Sequence, residues 1–164
     1  MRVLRRLLCL ALFIPLATAC QRTVRNPDCV KAIRDTETKW NQGYSARDID
    51  RLIECYAEDA VVMPPGREPS VGKKAIRRFL AGLVADPGLT FKFSAARIEV
   101  AASGDLGYAQ GSYLMTLTDP VTKRVIHDYG SYLTMYRHEA DGTWKAVSDM
   151  ATSEAAAPGV PPAS

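Results

Sequence analysis

The sequence predicts an α+β domain, in which helices come first and a curved antiparallel sheet follows. Apolar residues recur at helical spacing through about the first half of the chain, and at every second position from residue 91 onward. The later segments are joined by short turns, as in an antiparallel meander. Helices grouped ahead of a run of strands are typical of α+β folds and do not fit a doubly wound sheet.

Three helices are predicted. Residues 26–28 (Asn-Pro-Asp) have the chemistry of a helix start, and an amphipathic helix of about four turns follows. Trp40 belongs to its apolar stripe, while its charged residues, Glu37 among them, are assigned to the solvent side. Asp48 is predicted to cap a second helix, and residues 73–85 to form a third.

Five strands are predicted after or between these helices. The strand around Tyr132 is apolar on both faces, with Tyr132 on one face and Leu133 and Met135 on the other. Because helices cover only one face, we expect a second copy of the chain to cover the other, in a homodimer. The strands are predicted at residues 60–63, 91–101, 107–118, 125–138 and 143–152.

The first residues have the order of an export signal. Residues 1–19 contain a short basic stretch, an apolar run and then Ala-Thr-Ala. Residues 16–20 resemble a bacterial lipobox, in which Cys20 becomes the lipidated first residue; plain secretion is the alternative. We expect a protein of the bacterial periplasm or cell surface, with membrane contact only through a lipidated Cys20. Residues 20–27 are predicted to be a tether.

The net charge of +3 comes from the predicted export signal at residues 1–19. Of 21 basic residues, three lie in the first six positions, so the rest of the chain carries 18 basic and 18 acidic side chains. A neutral domain lacks the basic surface of a nucleic-acid binder, so no nucleic acid is expected as a partner. Residues 28–154 form the predicted domain, and residues 155–164 form a predicted disordered tail.

Two cysteines fall in the predicted domain. If the first two helices run back past each other, Cys29 and Cys55 differ in height by roughly 9 Å. A disulfide needs Cα atoms within about 7 Å, so we expect no bridge, although a longer loop or a helix crossing would permit one. With two histidines and no clustered ligands, neither a metal site nor a cofactor is predicted.

Several motifs resemble one known superfamily. Residues 48–52 (Asp-Ile-Asp-Arg-Leu) and 55–62 (Cys-Tyr-Ala-Glu-Asp-Ala-Val-Val) resemble the helix-to-strand signature of the nuclear transport factor 2-like superfamily, which includes ketosteroid isomerase and the SnoaL-like polyketide cyclases. Residues 71–76, 104–108 and 141–149 continue the pattern. It is most similar to an exported bacterial SnoaL-like branch. The resemblance implies a cone-shaped sheet around a pocket, with three helices on the concave side.

The resemblance does not carry over the isomerase chemistry. Ketosteroid isomerases use a carboxylate base, with a tyrosine and a protonated aspartate that bind the oxyanion. By spacing, the position of the base falls at Pro64 and that of the tyrosine at Trp40. The position of the protonated aspartate falls near Tyr132. Proline cannot exchange a proton, so isomerisation by this route is not expected.

Asp149 is the candidate catalytic residue. It follows Lys145 and Val147 on one alternation of the last strand, and the resemblance implies that this register faces the cone. A carboxylate in an apolar pocket has a raised pKa and can act as an acid or base. The alternative is that Asp149 only holds a helix end in place. Asp128 is the next candidate.

Aromatic side chains together with one or two carboxylates predict a pocket for a small, flat, partly polar organic ligand. An exported ligand-binding domain is the first hypothesis. A cofactor-independent isomerase, cyclase or dehydratase that uses Asp149 is the alternative, and an assembly or accessory domain with a filled pocket is the third. The predicted pocket residues are Trp40, Tyr44, Tyr56, Tyr108, Asp128, Tyr132 and Asp149.

Overall fold

The computed structural model describes residues 27–154 of the chain. The predicted export signal at 1–19, the predicted lipidation site Cys20 and the predicted tail at 155–164 lie outside the described residues. Of the predicted tether at 20–27, only Pro27 is described, and it is the first residue of the first helix. No helix within residues 27–154 is long and apolar enough to cross a membrane.

The predicted α+β fold class is confirmed. Residues 27–154 fold into three helices and one six-stranded sheet. The order along the chain is helix, helix, strand, strand, helix and four strands. The helices are α1 (Pro27–Ala46), α2 (Ile49–Glu54) and α3 (Lys73–Val84). The strands are β1 (Tyr56–Met63), β2 (Ser70–Val71), β3 (Thr90–Val100), β4 (Leu106–Thr118), β5 (Val125–His138) and β6 (Trp144–Ser153).

The strand order of the curved sheet is β2-β1-β6-β5-β4-β3. The four long strands pair antiparallel in sequence order, as the short turns between them predicted. In contrast, β1 pairs with β6 in parallel, which the meander did not predict. Parallel pairing is possible here because α3 and four strands separate β1 from β6, which gives the long connection that parallel neighbours require.

Helix α1 covers the sheet with a stripe of buried residues. Ile33, Glu37, Trp40 and Tyr44 are spaced by four, three and four positions, so they lie on one helical face. Gly43, on the same side, faces α2: a Cβ atom there would lie 2.9 Å from the side chain of Leu52. The absence of that atom lets α2 pack closely against α1.

Helix α2 begins where the sequence predicted. The side chain of Asp48 accepts a hydrogen bond from the backbone N–H of Arg51 at 3.0 Å, as an N-cap does. The helix ends at Glu54, and Tyr56 already belongs to β1.

A one-residue bulge in β6 sets the direction of Asp149. Tyr136 pairs with Ala146, whereas the preceding Met135 pairs with Ser148, so Val147 is an extra residue on β6. As a result, Ala146 before the bulge and Asp149 after it both face the inner side of the sheet.

The bulge corrects one detail of the predicted register. Lys145 was expected on the same face as Asp149, but the bulge breaks the alternation between them. The ammonium group of Lys145 instead donates to the backbone carbonyl of Glu54 at 2.6 Å.

Candidate functional site

A partly open cavity of about 210 Å³ lies between the sheet, α3 and the turn after β1. Aromatic and aliphatic side chains form most of its walls, and two carboxylates and one guanidinium group are exposed to it. The lining residues are Tyr44, Tyr56, Val62, Met63, Pro64, Pro65, Arg67, Phe79, Leu83, Phe91, Tyr113, Met115, Leu117, Asp128, Asp149 and Ala151.

Asp149 is held by two hydroxyl groups. Its Oδ2 accepts a hydrogen bond from the Tyr56 hydroxyl, and its Oδ1 accepts one from the Thr134 hydroxyl, each at 2.9 Å. Thr134 lies directly opposite Asp149 on β5. Burial raises the pKa of Asp149 above the ordinary value of an aspartate, although the two hydrogen bonds act in the opposite direction. Asp149 therefore retains its proton to higher pH than an exposed aspartate does.

Glu37 is a buried carboxylate, so its predicted position on the solvent side is wrong. It is 5% exposed, and its Oε1 accepts hydrogen bonds from the hydroxyls of Tyr132 at 2.9 Å and Tyr136 at 3.4 Å. Burial raises the pKa of Glu37, and the nearby charge of Asp149 also contributes. Its spacing from Ile33 and Trp40 was the available signal, because it puts Glu37 on the apolar stripe.

A smaller space of about 60 Å³ lies deeper in the fold and shares Tyr44, Phe91 and Asp149 with the main cavity. Trp40 also lines it. The indole Nε1 of Trp40 is buried and has no hydrogen-bond partner in residues 27–154. A space of this size exceeds the roughly 10–15 Å³ that one water needs. The inner end of the site therefore combines an unused donor with the carboxylate of Asp149.

The structure brings most of the predicted pocket residues together. Trp40, Tyr132 and Asp149 all line the inner space, although the hydroxyl of Tyr132 is directed to Glu37 and not to Asp149. Tyr44 and Tyr56 line the main cavity with Asp149. The catalytic role proposed for Asp149 stays a prediction.

Of the remaining two predicted pocket residues, Asp128 lies where it was predicted and Tyr108 does not. Asp128 lines the main cavity, where its carboxylate accepts hydrogen bonds from Tyr113 at 2.9 Å and from Ser153. Tyr108 does not line the cavity, and its hydroxyl donates to Glu99 at 2.9 Å. The reason is the alternation of β4: the neighbouring Ala109 is fully buried, so Tyr108 faces the outer side.

The structure adds several lining residues that the sequence analysis did not identify as such. Arg67 and the two prolines of the turn after β1 lie at the cavity, as do Phe79 and Leu83 from α3. Phe79 and Leu83 pack against the hydrophobic core from α3. Their position on a helix that closes the cone makes them walls of the cavity as well.

Neither a metal centre nor a disulfide is seen in the part of the chain that the structure describes. No group of three or more His, Cys, Asp or Glu side chains there could hold a metal ion. Cys29 and Cys55 are not bridged to each other. Burial raises the pKa of the Cys55 thiol to about 12, so this thiol is protonated at neutral pH.

Solved structures with this fold come from several bacteria. A ketosteroid isomerase-like protein from Erwinia carotovora atroseptica is 21% identical, with a TM-score of 0.69 over 77% of this chain and 97% of its own. An NTF2-like protein with a cystatin-like fold from Novosphingobium aromaticivorans is 18% identical, with a TM-score of 0.65 over 80% and 85%. A provisionally named dehydratase of the NTF2-like family from Streptomyces avermitilis is 16% identical, with a TM-score of 0.64 over 79% and 99%.

At these identities the solved structures establish the fold alone. No curated protein sequence matches the chain. The sequence profile of the SnoaL-like domain matches residues 38–147, which hold the second half of α1, all of α2 and α3, and the strands up to the first part of β6. This match covers more than half of the chain and includes Trp40 and Tyr44 of the helix stripe, the turn after β1 and most of the strands around the cavity. The chain therefore belongs to the SnoaL-like domain family.

Proposed function

We propose that the protein binds a small organic molecule in the main cavity, with its polar end next to Asp149. The observation that carries this proposal is the arrangement of the cavity: mostly apolar walls lead to Asp149, a half-buried carboxylate, and deeper to Trp40, whose Nε1 has no hydrogen-bond partner within residues 27–154. A concave apolar pocket with a few convergent polar groups is the usual form of a ligand site.

The volume and the walls limit the ligand. A dry protein cavity of about 150 Å³ holds benzene, so a space of about 210 Å³ suits one ring with short substituents. Phe91 and Tyr113 lie with their ring centroids 5.7 Å apart on the wall, which favours a flat ligand. A hydroxyl or carbonyl group at its inner end would hydrogen-bond to Asp149 or Trp40.

Native mass spectrometry of the full protein purified from its own host tests this proposal. We expect a bound small molecule in the wild type and its loss in Ala151→Leu, because Ala151 lines both the main cavity and the inner space. Ala81→Leu is the matched control, since Ala81 is exposed on α3 and lies outside the cavity. Retention of the molecule by Ala151→Leu would contradict binding in this cavity.

Proton transfer is a second candidate function, and a specific observation favours it. Asp149, whose pKa is raised by burial, lines the same inner space as Trp40, whose Nε1 has no hydrogen-bond partner within residues 27–154. In this mechanism the Asp149 carboxylate takes a proton from the carbon next to a ligand carbonyl, while Trp40 hydrogen-bonds the carbonyl oxygen. The proton then returns from Asp149 to carbon.

The available cavity argues against the third hypothesis, a pocket filled by the protein's own side chains.

Hydrogen exchange distinguishes this enzyme from a binding protein. With para-hydroxyphenylacetone in deuterium oxide, an enzyme should exchange the hydrogens beside the carbonyl faster than buffer does, as followed by NMR. Asp149→Asn should remove the acceleration, whereas the exposed control Asp35→Asn should retain it. Binding of the ketone without exchange would leave the protein a binding module.

We also propose that the protein is exported and lipidated at Cys20, with plain secretion as the alternative. The support is the order of residues 1–20 in the sequence. Cys20→Ala should abolish labelling by a fatty-acid analogue and release the domain from the membrane fraction. Recovery of the chain with Met1 intact in the cytoplasmic fraction would contradict export.

A homodimer through the outer face of the sheet is the last proposal. Leu114, Tyr129, Met135 and Met150 are exposed large apolar residues there, on β4, β5 and β6. A face of this kind beside a groove lined by Leu133 and Met150 suits a second copy of the same chain.

A further inference from the structure

The main cavity has one basic residue in its lining, Arg67. Arg67 lies in the turn between β1 and β2, at the exposed rim of the cavity. Several other arginines of the domain have acidic partners; Arg137, for example, is paired with Asp59 at 2.9 Å. Arg67 has no ion pair with any residue of the described range 27–154. Its guanidinium is therefore available to a ligand.

The backbone of the turn fixes the position of Arg67. Pro64 and Pro65 follow β1 directly, and their rings lock φ, so the turn has little conformational freedom. Gly66 then has a φ of +64°, in the left-handed region that glycine adopts without strain. These three residues hold Arg67 next to the cavity and limit the entropy that a ligand contact would have to overcome.

The acidic residues of the lining differ from Arg67 because each already has hydrogen-bond donors. Asp149 accepts from Tyr56 and Thr134. Asp128 accepts from Tyr113 and Ser153. The charged group that lacks a counterpart is thus the cation at the rim, and charge complementarity favours a negative group on the ligand.

We infer that the ligand is an organic anion. Its acid group, a carboxylate or a similar planar anion, pairs with Arg67 at the rim, its ring lies between the apolar walls, and its opposite polar end meets Asp149. The planar guanidinium can donate two parallel hydrogen bonds to a carboxylate, which an ammonium group cannot do. This inference rests on the proposed ligand-binding function and adds the chemical class of the ligand.

Three probes of one skeleton test the inference: para-hydroxyphenylpropionate, its neutral amide and the corresponding propylamine. We expect the full-length protein to bind the acid about fivefold more tightly than the amide, the scale of a partly exposed ion pair. Arg67→Ala should weaken binding of the acid more than binding of the amide and so remove this difference. Arg67→Lys should keep part of it. The preference for the acid should also fall as salt is added.

Arg78→Ala is the matched control, because Arg78 is exposed on α3 and lies outside the cavity lining. It should bind all three probes as the wild type does. Binding followed by calorimetry, with NMR to locate the probe at Asp149 and Phe91, separates the outcomes.

Equal binding of acid and amide, unchanged in Arg67→Ala, would overturn the anion inference but leave ligand binding in the cavity intact. Tighter binding of the amine would overturn it in favour of a cation held by Asp128 and the surrounding rings. If none of the three probes affected the cavity resonances, the inference and the proposed function would both fail.

Discussion

At the scale of single residues, the interior holds two carboxyl groups with parallel arrangements. Glu37 accepts from Tyr132 and Tyr136, and Asp149 accepts from Tyr56 and Thr134. Burial raises the pKa of both carboxyl groups. The negative charge of Asp149 is one of the causes that raise the pKa of Glu37, after burial. A ligand that enters beside Asp149 will therefore also affect the protonation of Glu37.

Replacing Glu37 with glutamine should reduce the pH dependence of stability. The raised pKa of Glu37 means that, above the unfolded-state pKa, the folded protein binds more protons than the unfolded chain. The free energy of unfolding therefore falls as pH rises through the folded-state pKa. Glu37→Gln lacks this contribution, so the change in its free energy of unfolding from about pH 4 to about pH 7 should be more positive than that of the wild type, as measured by urea unfolding.

Glu68→Gln is the control for this experiment, since Glu68 is exposed in the turn before β2. It should reproduce the wild-type pH profile. A Glu37→Gln profile identical to that of the wild type would show that Glu37 does not have the raised pKa that its burial implies.

Removing the Tyr56 hydroxyl should raise the pKa of Asp149 further. The hydrogen bond from Tyr56 stabilises the charged carboxylate, so Tyr56→Phe favours the protonated form and should lower stability by about 1 kcal/mol. Carboxyl-carbon NMR titration measures the change directly. The control Tyr108→Phe removes a hydroxyl that donates to Glu99 on the other face of the sheet, and should leave Asp149 unaffected. A lower pKa in Tyr56→Phe would contradict this reading of the hydrogen bond.

At the scale of elements, the bulge in β6 is the reason why Asp149 faces the inner side of the sheet. Strict alternation predicted Asp149 on the inner face together with Lys145. In the structure Asp149 does lie on the inner face. The reason is that Val147 is an extra residue in β6, which shifts the alternation between Lys145 and Asp149. No glycine or proline marks the bulge, so the sequence carries no local sign of it.

Most element boundaries were predictable because turn and cap chemistry is local. Asp48 marks the start of α2, and Gly104 and Gly142, both at positive φ, lie in turns between long strands. The parallel pairing of β1 with β6 was not predictable in this way, since it joins residues far apart in sequence. Among the site residues, aromatic side chains on inner stripes were identified, whereas Arg67 depends on how a turn folds back onto the cavity.

Two glycine substitutions should have opposite effects on stability. A Cβ atom at Gly130 on β5 would lie 1.9 Å from the carbonyl oxygen of Thr152, so Gly130→Ala must displace β6 and should cost about 1–3 kcal/mol. At Gly82 in α3 a Cβ atom meets nothing within 4 Å. Gly82→Ala should therefore stabilise the protein by about 0.5–1 kcal/mol through helix propensity.

Chemical unfolding of both variants measures the two changes. Displacement of β6 also moves Asp149, so Gly130→Ala should weaken ligand binding, whereas Gly82→Ala should not. A Gly130→Ala variant as stable as the wild type would show that β5 and β6 can separate locally at no cost.

At the scale of the whole molecule, the proposed homodimer can be tested by charge. Leu133 lies on the outer face of β5, within a shallow groove that Met150 also lines. A stable dimer buries about 1,600 Å² in total, so a carboxylate at its centre should be disruptive. Leu133→Glu should give monomers by light scattering at concentrations where the wild type is dimeric.

Val121→Glu is the control, because this substitution also replaces an apolar residue by glutamate. Val121 is 86% exposed in the turn between β4 and β5. It should leave the oligomeric state unchanged. A wild-type protein that stays monomeric at high micromolar concentration would contradict the dimer.

The strand order also has a consequence for when the protein folds. The last strand along the chain, β6, separates β1 from β5 in the middle of the sheet. Until β6 leaves the ribosome, β1 has only the two-residue β2 beside it, and Tyr56 and Thr134 lack the carboxylate that links them. Contacts of such long sequence separation form late. If the chain is exported as proposed, its domain would thus stay incomplete, and open to threading through a narrow translocation channel, until β6 has been synthesised.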